Sequence, residues 1–174
     1  MGDTLMTIIA IFLAAILMFV FPLLAVSERN DDISQLSAQS ATVQFVDNIR
    51  ATGKITEADY DAYMQTLLST GNSYDVNLEV KVLDENPGKK VTWTTSDKIG
   101  ENIYYSVYTS QIQEQFQKAN GIYKLKEGDI ISVDVKNTNT TISQILKNFF
   151  YALSGNDTYQ IEAKHSGMVM VTSD

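Results

Sequence analysis

The stretch from Leu5 to Val26 (LMTIIAIFLAAILMFVFPLLAV) contains no charged residue, and only Thr7 and Pro22 in it are not plainly hydrophobic. About twenty apolar residues in a helix are enough to cross the hydrocarbon core of a bilayer. Whatever else the chain folds into must accommodate a segment that cannot rest in water.

Three fates fit the segment. As a cleaved secretory signal it would use Ala25-Val26-Ser27 as a small-x-small site, but no Lys or Arg precedes the core. The core also exceeds the usual length of about 7–15 residues. As a retained anchor it would leave the acidic remainder outside the cell, with the amino terminus in the cytoplasm. As an assembly helix it would leave the bilayer and pack against identical helices. Pro22, near the end of the run, removes one backbone hydrogen bond and predicts a bend there.

Beyond Val26 the composition changes abruptly. All thirteen Lys and Arg lie from Glu28 onward, with twenty of the twenty-one acids, so this part carries 13 − 20 = −7 and the whole chain −8. An acidic surface without a basic stripe argues against nucleic acid, which needs clustered cations for its phosphates, and against docking on anionic headgroups. The chain has no cysteine, which excludes disulfides and thiolate metal sites.

A helical period continues after the apolar run. Ile33, Leu36, Ser40, Val43, Val46 and Ile49 recur three or four residues apart, and Gly53 supplies a stop. A helix from Leu5 to Arg50 would span roughly 69 Å, apolar first and amphipathic after. Thr56-Glu57-Ala58-Asp59 then reads as a capped helix start, with Tyr60, Tyr63, Met64, Leu67 and Leu68 on one face and Gly71 as its end. Tyr74 to Leu83 alternates as a half-buried strand. Val91 to Thr95 and Ile103 to Thr109 read as further strands. Ser110 to Asn120 reads as a helix, and Ile122 to Leu125 and Ile130 to Lys136 read as strands around a Lys126–Asp129 turn.

Thr140 or Thr141 caps a predicted helix to Leu153, with Ile142, Ile145, Leu146, Phe149, Phe150 and Leu153 on one face. Two last strands, Tyr159 to His165 and Met168 to Thr172, would turn at Ser166-Gly167. The expected fold is α+β: a long hydrophobic-then-amphipathic N-terminal helix (1–52), then a small antiparallel β-sheet domain with two or three short helices (53–174).

Reactive chemistry is sparse. His165 is the only histidine, so a Ser/His/Asp arrangement would depend on it alone, and a structural role is the simpler reading. Asp31-Asp32 and Asp84-Glu85-Asn86 could offer oxygens to a hard cation but lack calcium-loop spacing. Asn139-Thr140-Thr141 and Asn156-Asp157-Thr158 match glycan acceptor sequons. Tyr104, Tyr105 and Tyr108 could form an exposed patch or contribute to the core. The expectation is a non-enzymatic chain with no catalytic or metal residues, no cofactor and no nucleic-acid partner.

An apolar-then-amphipathic helix carrying a small β-rich domain, with a proline late in its apolar half, resembles type IV pilins and pseudopilins. Ile49-Arg50-Ala51-Thr52-Gly53-Lys54-Ile55-Thr56, followed by an acidic helix start, looks like small membrane-anchored proteins of Tad-type pilus machinery in Gram-positive bacteria. The resemblance implies a subunit held in the membrane before assembly, then self-associating in a helical filament or joining other pilin-like subunits at the cell surface. The assembly helix would present Ile9, Phe12, Ile16, Phe19 and Pro22. Pilins typically carry a basic leader ending in Gly and a Glu soon after it. Here Gly2 follows Met1 directly and Thr7 stands near the acid's place, which leaves Asp3 as a possible N-terminal charge contact. Without a buried ion pair, register would rest on side-chain packing.

Overall fold

The computed structural model describes residues 2–84, 104–145, 147–148 and 160–173. It begins with one helix, α1 (Gly2–Thr52), which continues through Pro22 without interruption. There follow β1 (Lys54–Thr56), α2 (Glu57–Leu68), β2 (Tyr74–Leu83), β3 (Tyr104–Tyr108), α3 (Thr109–Lys118), β4 (Ile122–Lys124), β5 (Ile130–Asn137) and β6 (Glu162–Met168). A long apolar N-terminal helix followed by small antiparallel sheets and short helices is the α+β architecture expected.

Four strands form an antiparallel sheet in the order β3-β2-β5-β6, and β1 pairs with β4 in a separate ribbon. Alternation sets the faces. Val76, Leu78 and Val80 of β2 stand opposite Val135, Val133 and Ile131 of β5, and all six are buried. The other face is polar, with Lys136 3.6 Å from Glu162 across the strands and the Ser106 hydroxyl donating to Glu79 at 2.7 Å.

The second half of α1 covers the apolar face, contributing Ala38, Phe45, Val46 and Ile49 to the core. α2 packs on the same helix. The Phe45 and Tyr63 rings stack at 4.4 Å, and Tyr60 bridges Phe45 and Phe116 of α3 at 6.4 Å from each. Thr56 caps α2 by accepting the Asp59 amide at 3.0 Å, as its sequence predicts. Asp129 is buried and ties its turn together. One carboxylate oxygen accepts the Leu83 amide at 2.9 Å and the other the Lys126 amide at 2.8 Å.

Several local expectations change. The buried stripe of α1 is Asp31, Ser34, Ala38, Thr42, Phe45, Val46 and Ile49, which keeps Val46 and Ile49 of the expected series but leaves Ser40 exposed and Val43 half-buried. Ile33 and Leu36 are exposed, because the helix turns its small and polar side chains to the domain. Leu68 is likewise exposed. Ser166-Gly167 is no turn. β6 runs straight through it, paired residue by residue with β5 and with Gly167 opposite Ile131, and the missing side chain leaves room for Arg50, whose Cδ lies 2.5 Å from where a Cβ would sit. Ile142 and Ile145 point outward rather than into the core. The strand expected at Val91 to Thr95, Asn156, and the helix positions Leu146 and Phe149 to Leu153 lie outside the described residues.

Candidate assembly surface

α1 divides into a free part and a held part. From Leu5 to Val26 its large side chains stand open, apart from the half-buried Val20 and Leu24. Ile9 is 54% exposed, Phe12 71%, Ile16 46% and Phe19 71%, and Pro22 and Asp3 are exposed as well. Thr7 donates to the Asp3 carbonyl at 2.7 Å, within the helix itself. An 18-residue window of this helix reaches a mean hydropathy of 3.0 with none of it buried inside the chain. Each large side chain gains roughly 1.5–3 kcal/mol on leaving water, so covering the segment with lipid or other protein is strongly favourable. It is long and apolar enough to cross a membrane.

The held part is fixed at intervals along β6. Gln35 reaches Glu162, and Arg50 donates from Nε to the Met168 carbonyl at 3.0 Å. At the helix end Gly53 takes φ +66°, with its amide on the Ile49 carbonyl at 2.8 Å. A Cβ there would lie 2.2 Å from the Val171 oxygen, so only glycine lets the C-terminal segment pass across the cap. That segment is bonded on both sides, Met170 N–H to the Arg50 carbonyl and Ser173 N–H to that of Leu125.

Between the two parts lies a polar junction. The Ser143 amide donates to Ser27 Oγ at 3.0 Å, the Thr141 hydroxyl to Asp31 at 2.8 Å, and Lys147 lies 3.4 Å from Glu28. Asp31 is buried and its second oxygen has no partner. Asp32 is exposed, so the two carboxylates do not converge on a cation. Among the described residues no group of three or more His, Cys, Asp or Glu could hold a metal ion.

The remaining candidates are spread over the domain. His165 Nε2 lies 3.9 Å from Asp47, which also pairs with Arg50 at 2.7 Å. This is a contact between β6 and α1 rather than a nucleophile-base pair. Asn139 uses its side chain structurally, accepting the Ser73 amide at 2.7 Å and donating to Asn72 at 2.9 Å. Tyr105 and Tyr108 are exposed at the β3 side of the sheet. Asp84 is half-buried, and Glu85 and Asn86 lie outside the described residues.

Of the residues at the contact between helix and domain, Gln35 carries no sequence signal, while Asp31, Arg50 and Gly167 carry signals that point elsewhere, to a cation, a helix end and a turn. One signal was present. Ser34, Ala38 and Thr42 repeat every four residues, a stripe of small side chains that lets a helix approach a sheet closely. No family model, curated protein or solved structure matches this chain.

Proposed function

We propose that the protein is a structural, pilin-like subunit, anchored in the membrane by the apolar half of α1 before assembly and packed through that half into a surface filament or its secretion apparatus. The observation that carries this reading is a single unbroken helix with an uncovered apolar first half and a second half locked into a folded domain. Such a subunit gives a fibre two things: a greasy stem that packs against identical stems, and an acidic head that remains in water. Ile9, Phe12, Ile16 and Phe19 form the packing stripe, and the domain faces outward.

Mechanical shearing of cells without detergent tests it. Recovery of the intact chain in extracellular fibres is the expected result. If the chain fractionates only with membranes, as a monomer, it is instead a single-pass anchored binding module that does not polymerise.

A further inference from the structure

The helical turn at 142–145 is amphipathic in the wrong sense for a water-facing domain. Its polar residues are inside, Ser143 fully buried and Gln144 4% exposed, while Ile142 is 52% and Ile145 58% exposed. Turns that border water normally bury the apolar side. The turn is held by Thr141 and Gln144, which bond each other's amides reciprocally at 3.0 and 3.2 Å, by the Thr141 hydroxyl on Asp31 and by the Ser143 backbone amide on Ser27 of α1, while the buried Ser143 Oγ and Gln144 Nε2 have no partner.

The height of this turn along α1 says what covers it. Ser27 is the first residue after the uncharged run, and Val26, just below it, is 69% exposed. The run from Leu5 to Val26 measures about 33 Å as a helix, against about 30 Å of hydrocarbon. A helix inserted over that run therefore places Ser27, and with it Ile142 and Ile145, at the boundary between acyl chains and headgroups. Interfacial helices bury their apolar side roughly 5–10 Å into that boundary. The Glu28–Lys147 pair sits on the same level, where charged groups meet headgroups and water.

We infer that the 142–145 turn is a membrane-contact foot: Ile142 and Ile145 dip into the bilayer interface beside α1 and seat the domain on the membrane before assembly. The foot rests on α1 crossing the bilayer. It does not depend on whether the chain later polymerises. Glu28, Asp31 and Asp32 outnumber Arg29 and Lys147 at this junction, so a zwitterionic surface fits it better than an anionic one.

Because the chain lacks cysteine, single reporters can be placed at will. The full chain carrying Ile145→Cys or Ile142→Cys, labelled with an environment-sensitive dye, is reconstituted at one chain per phosphatidylcholine nanodisc. Leu13→Cys marks the stem and Gln117→Cys, on exposed α3, marks the aqueous face. Lipids with a nitroxide high on the acyl chain should quench the 142 and 145 labels strongly and leave the 117 label bright. If the 142 and 145 labels stay as bright as that at 117 while a deep nitroxide quenches Leu13→Cys, the foot is overturned and the membrane stem stands. If Leu13→Cys is not quenched either, both fail. Shielding of the 142 and 145 labels that arises only when several chains share a bilayer would assign the isoleucines to a second copy and overturn the lipid contact.

Discussion

Gln35 and Glu162, 127 positions apart in sequence, exchange two hydrogen bonds: the Gln35 side-chain amide donates to the Glu162 carbonyl at 2.6 Å, and the Glu162 amide donates to the Gln35 Oε1 at 3.0 Å. The glutamine thus behaves like a residue of a neighbouring strand and closes the outer edge of β6. Arg50 does the same at the other end through the Met168 carbonyl. The spacings agree: fifteen helical steps cover about 22 Å and six strand steps about 20 Å. The helix is therefore in register with the strand it covers, and these two contacts fix the position of the apolar stem relative to the domain together with the core residues Ala38, Phe45, Val46 and Ile49 between them.

Gln35→Ala should loosen that register. Two partly solvated bonds are lost at a net of roughly 0.5–1.5 kcal/mol each, and the denaturant midpoint should fall accordingly with the m-value unchanged. An unchanged midpoint would mean water replaces the glutamine without loss.

The aromatic seam between α1 and α2 should be more costly to disturb. Phe45→Ala removes a ring stacked on Tyr63 and should cost about 3–5 kcal/mol. Thr42→Val leaves the buried Tyr63 hydroxyl without its 2.8 Å partner, at about 1–3 kcal/mol. Phe12→Ala, in the free stem, should leave the domain's unfolding midpoint where it is.

Gly53→Ala and Gly71→Ala separate conformation from collision. Both glycines have positive φ, +66° and +80°, but only at Gly53 would a Cβ strike the backbone. Gly71→Ala should cost about 1–2 kcal/mol. Gly53→Ala should cost clearly more and displace the 169–173 segment, visible as faster amide exchange at Met170 and Ser173. Equal losses at the two sites would remove the claim that the tail locks the helix cap.

Alkaline pH should unfold the domain through its buried phenols. Burial pushes Tyr63 up to about 12, against the opposing effect of its Thr42 hydrogen bond, and burial with Tyr105 and Asp129 nearby pushes Tyr123 up to about 12. Below pH 10 both residues are neutral in folded and unfolded chains, and the full stability is present. Between about pH 10 and 12 the unfolded chain ionises first, so stability falls as pH rises. Urea midpoints measured across that window should drop, and Tyr63→Phe should make the drop shallower.

Much of this fold could be read from local pattern. The Thr56 cap, the alternation of β2 and the turn at Asp129 each carry their own signal within a few residues. The packing face of α1 is legible only in part: Val46 and Ile49 follow the apolar period and are buried. Ile33 and Leu36 look like core by type but are exposed, while Asp31, Ser34 and Thr42 look like surface but are buried, because their partners Thr141 and Tyr63 lie far away in sequence. Gly167 misleads in the same way: its lack of a side chain serves the passage of Arg50, not a turn. In the candidate surface the apolar stem was legible from hydropathy alone, whereas the contacts that hold it to the domain depend on tertiary pairing that no local period encodes.

The most direct test of the assembly role is fractionation of cells expressing the native chain or Phe12→Asp, with the domain's fold checked in both. A charge in the middle of the stem costs roughly 2.5–3.5 kcal/mol in a membrane-spanning helix, and it has no partner in a packed bundle of identical helices. Native chain is expected in the detergent-free sheared fibres, and Phe12→Asp is expected to be absent from them while its domain stays folded. Fibres that incorporate Phe12→Asp at the native level would contradict it.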